Sequence, residues 1–108
     1  MGFKSKVKDN IGNSGSPSVL SDTVAAGATH TIIGMSIANT VSTAITVSAK
    51  INKNGAASGF LVKDATVLPG GAIVIVGGDQ KLVLEAGDTI TAYASAANSA
   101  DAVMSYLS

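Results

Sequence analysis

His30 is the only histidine in the 108-residue chain, and there is no cysteine. These two facts bound the chemistry. A Ser-His-Asp triad needs a histidine base held by a carboxylate, so any such arrangement has to run through His30. No Gly-x-Ser-x-Gly elbow is present, and one histidine cannot supply a paired imidazole metal site. Thiolate nucleophiles, thiolate metal centres and disulfides are excluded by composition. His30 begins a β-branched stretch, where its expected role is a polar residue at a strand edge. The reading is a non-enzymatic protein with no catalytic residue, no cofactor and no metal.

The acids are weighed in the same way. Asp79, Glu85 and Asp88 fall in or beside two turns. A Ca²⁺ site takes roughly six to eight oxygens, and no Asp-x-Asp-x-Asp-Gly loop exists. Asp79 and Asp88 each follow glycine, so they are expected to accept local backbone N–H groups as turn residues. Gly70-Gly71 and Gly77-Gly78 are not phosphate loops, which need Gly-x-x-x-x-Gly-Lys-Ser/Thr opening a helix. Lys4, Lys6 and Lys8 alternate, so an extended segment projects all three to one side. There is no arginine, no aromatic interleaving and no net charge, which argues against nucleic acid as a partner.

The elements that position these residues read as strands. Residues 43–52 alternate, with Ile45, Val47, Ala49 and Ile51 on one face and Thr46, Ser48 and Lys50 on the other. Residues 29–39 are β-branched and alternate through Ile33, Met35 and Ile37. Further strands are expected at 60–67, 72–76, 81–84, 89–95 and 102–107, with a weak one at 19–24. Turn chemistry separates them: Asn54-Gly55, Pro69-Gly70-Gly71, Gly77-Gly78, Ala86-Gly87-Asp88 and Asn98-Ser99. Residues 92–97 are alanine-rich, but Thr91, Tyr93 and Ser95 alternate with small residues, which favours strand. About eight antiparallel strands at this spacing predict an all-β sandwich or barrel.

Residues 1–16 differ in composition. They hold three of the seven lysines and the loop-forming stretch Asn10-Ile-Gly-Asn-Ser-Gly-Ser16. They are expected to form an extended N-terminal arm, leaving 17–108 as the β-domain. Without the arm the body carries four lysines against six acids, so it is mildly acidic. Alanine, serine, glycine and threonine supply 51 residues, and only 13% of the chain is charged. Such small, neutral side chains allow close backbone approach and lower the desolvation cost of burying a face. The expected protein-contact residues are Phe3, Lys4, Lys6 and Lys8 from the arm, with Tyr93 and Tyr106 from the strands. No apolar run reaches the ~20 residues of a membrane helix. The basic start is followed by no apolar segment of secretory type, so synthesis and assembly in a cytoplasm are expected.

Several stretches carry a resemblance. Asp22-Thr-Val-Ala-Ala-Gly27 leads into Thr31-Ile-Ile-Gly-Met-Ser-Ile-Ala-Asn39. Leu61-Val-Lys-Asp-Ala65, Leu68-Pro-Gly-Gly71, Gly78-Asp-Gln-Lys81, Leu84-Glu-Ala-Gly-Asp88 and Met104-Ser-Tyr-Leu107 follow. Together they resemble small all-β virion structural proteins of tailed bacteriophages, particularly those of marine and cyanobacterial hosts. The Gly87-Asp88 turn and the closing aromatic strand are also similar to trimeric jelly rolls of the tumour-necrosis-factor-like type. The resemblance implies a jelly-roll-like capsid decoration (cement) protein located in the virion. Its implied partners are itself, as a homotrimer, and the major capsid protein. A neck, tail or baseplate component and a receptor- or carbohydrate-binding jelly-roll module are the alternatives.

Overall fold

Period-two patterning broken by glycine turns leaves no stretch that favours a helix, and none forms among the described residues. The computed structural model describes residues 2–21, 24–55, 57–77 and 81–108. Nine strands are present among the described residues. They are β1 (Phe3–Lys8), β2 (Ser18–Val19), β3 (Thr29–Asn39), β4 (Ile45–Asn52), β5 (Ser58–Val67), β6 (Ala72–Val76), β7 (Leu82–Glu85), β8 (Thr89–Ala94) and β9 (Ala100–Leu107). Residues 92–97 are strand only as far as Ala94 and then turn.

The strands form two antiparallel sheets. The first runs β1-β9-β3-β6, with β7 also paired to β3, and the second runs β2-β8-β4-β5. β6 pairs with residues 35–38 of β3 and β7 with residues 29–32. β6 and β7 therefore lie end to end along one edge of β3. The core is made by inward positions of both sheets. Ile32, Met35 and Ile37 come from β3, Ile45 and Val47 from β4, and Ile90 from β8. Each such aliphatic side chain contributes roughly 1.5–3 kcal/mol on burial. Alanines at 92, 94, 100 and 102 face the same core, so β8 and β9 fill it with short side chains.

Buried polar groups fasten the ends of this core. Asn39 donates from Nδ2 to the Thr43 carbonyl at 2.8 Å and the Val67 carbonyl at 3.0 Å. Its Oδ1 accepts the Val41 N–H at 2.9 Å. One side chain thus holds the β3–β4 crossover against the end of β5. Asp64 has a φ of 52°, and the Ser48 hydroxyl accepts its N–H at 2.9 Å. This contact holds the bulge where β5 shifts register against β4.

The N-terminal segment differs from the expected arm over 1–16. β1 pairs with β9 through six successive residues, from Phe3 with Leu107 to Lys8 with Ala102. Ile11 is fully buried in the core, and its N–H donates to the Ala100 carbonyl at 2.9 Å. The Gly12 carbonyl accepts from Ala94, so this stretch bridges β9 of one sheet and β8 of the other. A Cβ at Gly12 would collide with the Ser16 carbonyl oxygen. The loop-like composition of 10–16 was a correct sign of turns. A single isoleucine and the backbone ladder of β1 make the segment part of the body.

This placement predicts a clear stability effect. Ile11→Ala should lower the unfolding free energy by about 2–5 kcal/mol in chemical denaturation, as for other large-to-small core changes. A segment lying free of the body would show no change.

Candidate interaction surface

Paired residues in adjacent strands share a face of the sheet, so the register shows what each face presents. In β9 the even positions Ala102, Met104 and Tyr106 are buried and face the core. The odd positions face outward. Val103 pairs with Val7 on one side and Ser36 on the other, and Ser36 pairs in turn with Val74. Leu107 pairs with Phe3 and Thr31, and Thr31 with Val83. Between these rows Ser105 pairs with Ser5 and Gly34. The outer face of the first sheet therefore carries two apolar rows with a row of small residues between them. Phe3 is 78% exposed and Val74 69% exposed. No charged side chain stands in the three rows.

The outer face of the second sheet is different in kind. It carries Lys50, Thr91, Asn52, Tyr93 and Phe60 by register. Phe60 is 45% exposed, with the Lys50 and Lys63 ammonium groups 5.3 and 5.5 Å from its ring centroid. Each contact is a cation–π arrangement. Asn52 Nδ2 donates to the Thr91 hydroxyl at 3.1 Å.

The expected contact residues are spread over these surfaces. Phe3 stands on the outer face of the first sheet. Lys4, Lys6 and Lys8 alternate as expected, on the opposite side of the same strand, because they pair with the inward-facing Tyr106, Met104 and Ala102. β1 is the sheet's edge, and lysines there discourage further strand addition. Tyr93 is half-buried on the second sheet. Tyr106 is 4% exposed and stacks on His30 with ring centroids 5.1 Å apart. No hydrogen bond joins His30 to an acid among the described residues.

Asp88 behaves as the expected turn residue. Gly87, at φ 82°, lets the chain reverse, and both Asp88 oxygens are then engaged. Oδ1 accepts the Asn54 N–H at 2.9 Å and Oδ2 the Glu85 N–H at 2.8 Å. The Lys53 ammonium also pairs with Oδ2 and lies 3.2 Å from Glu85 Oε1. Lys53 first, then the Asn54 and Glu85 N–H groups, lower the Asp88 pKa from 3.8 to about 2. Lys53 is raised in return, mainly by Asp88. An open depression of about 510 Å³ lies over this cluster, lined by Thr29 and Lys53 among others. Asp79 lies outside the described residues.

Sequence reasoning named Phe3 and missed Val7, Val103, Leu107, Val74 and Val83. The signal was present in β9, where Val103 and Leu107 break the alternation. It was also present in the unbroken apolar run of β6, since such runs mark strands covered on both faces. Compared with known proteins, the chain matches no family model, no curated protein and no solved structure.

The Asp88 cluster predicts an acid-side stability loss. A depressed carboxylate stabilises the fold above its unfolded value and loses that contribution as pH falls through its folded value. The melting temperature should therefore drop between pH 3.8 and about 2. Asp88→Asn should lower it at neutral pH and flatten that acid slope in a calorimetric pH series.

Proposed function

We propose that this chain is a non-enzymatic structural protein of a tailed-phage particle, acting as a capsid decoration protein through protein–protein contacts. The observation that carries the reading is the outer face of the first sheet. It is broad, uncharged over its central rows and lined by exposed valines and phenylalanine with the half-buried Leu107. Contiguous apolar patches beyond a few hundred Å² mark interaction sites on soluble proteins.

The strand order supports a jelly-roll reading of the fold. Counting β6 and β7 as one interrupted strand, the sheets are β1-β9-β3-β6/7 and β2-β8-β4-β5. Two four-stranded sheets in this order suit a jelly roll of eight strands, an architecture used by viral capsid and lectin domains. Fold alone does not assign function. The resemblance to virion proteins and the uncharged face point the same way, towards self-association and a capsid partner. Virion localisation follows from that partner.

The reading is tested on particles made with and without the protein. Imaging should show added density at repeated capsid positions, and the purified chain should bind empty capsids. Density confined to one ring at the neck or tail would move the site. A chain that binds neither shells nor tails would contradict a virion role.

A further inference from the structure

We infer that the outer face of the first sheet pairs with the same face of a second copy of this chain about a twofold axis. The inference names an occupant for the face on which the assembly reading rests. Three observations carry it.

The first is the order of residue types. Going from β1 to the β6/β7 edge, one row reads Phe3, Leu107, Thr31 and Val83. The other reads Val7, Val103, Ser36 and Val74. Both are apolar on β1 and β9, carry a hydroxyl on β3, and end on valine. A twofold axis in the interface, running across the strands along the row of Ser5, Ser105 and Gly34, lays one row over the other. Apolar side chains then meet apolar ones, and Thr31 meets Ser36. That match is what an isologous interface requires, since each position must suit its symmetry mate. The small residues lie on the axis, where the two backbones come closest.

The second observation is charge. A face meeting its own copy brings like charges together, and a buried unpaired ion is costly. The three central rows of the first sheet hold no charged side chain, and Asp101 and Glu85 stand one row beyond them at opposite ends of the face. The second sheet's outer face holds Lys50 and Lys63 around Phe60, which disfavours self-pairing there.

The third is size. The six, eight, eleven and nine residues along β1, β9, β3 and β6/β7, at ~3.4 Å each and ~4.8 Å between strands, give a face of about 550 Å². Two such faces together bury about 1,100 Å², above the roughly 1,000 Å² that a specific interface needs.

Sedimentation equilibrium of the purified full chain tests this across a wide concentration range. The expected mass is twice that of the 10.6 kDa chain. Val103→Lys and Val74→Lys should each return it to a single chain with an unchanged circular dichroism spectrum, because both positions are exposed. Phe60→Lys, on the other sheet, should leave the pair intact. A monomer at every concentration, a trimer, or a dimer indifferent to Val103→Lys and Val74→Lys would overturn the inference. A monomer that still binds empty capsids would overturn the pairing and leave the virion role standing. A dimer that ignores capsids would uphold the pairing and count against that role.

Discussion

A sheet that exposes several large apolar side chains on its outer face gains by being covered a second time, and the first sheet of this protein carries such a face. An antiparallel sheet with one face in water usually alternates apolar and polar side chains. β9 does so only in part. Ala102, Met104 and Tyr106 point into the sandwich, and the outward-facing Val103 and Leu107 alternate with Asp101 and Ser105. The second sheet covers the inner face within one chain. The outer face is left with Phe3, Val7, Val74, Val83 and Val103 exposed. At about 25 cal/mol per Å² of apolar surface removed from water, covering such a face is a substantial driving force for association.

The polar residues, by contrast, are largely occupied in holding the fold. Asn39 satisfies a crossover, Ser48 a bulge and Asp88 a turn, each through named backbone groups. Every buried side-chain nitrogen and oxygen among the described residues has a partner. His30 packs its ring on Tyr106. Most of the charged residues lie at the β1 edge, at the Asp88 turn and on the second sheet, while Asp101 and Glu85 flank the three uncharged central rows of the first sheet's outer face.

Much of the fold was legible in the sequence, for physical reasons. Period-two alternation in 43–52 marked β4, and Gly55, Gly70 and Gly87 marked turns that all adopt positive φ. Asp88 was readable as a turn carboxylate. Its ion pair with Lys53 was not, because those residues meet only when β4 pairs with β8, where Asn52 lies opposite Thr89. Residues 1–16 were misjudged on composition. Ladder pairing with β9 and the burial of Ile11 are tertiary events, and lysines at alternate positions suit an edge strand as well as a free arm. The outer face was half legible. Val103 and Leu107 break the pattern of β9, but only the register places them beside Val7, Phe3, Val74 and Val83.

The most direct test places a single thiol on the proposed axis. The chain has no cysteine, so Ser105→Cys reports on one position alone. Sheets packed face to face lie about 10 Å apart, within reach of a short bismaleimide. Ser105→Cys should be linked into covalent pairs, while Thr66→Cys, exposed opposite Thr46 on the outer face of the second sheet, should stay single. Equal linkage of the two variants, or no linkage of Ser105→Cys, would contradict the twofold pairing.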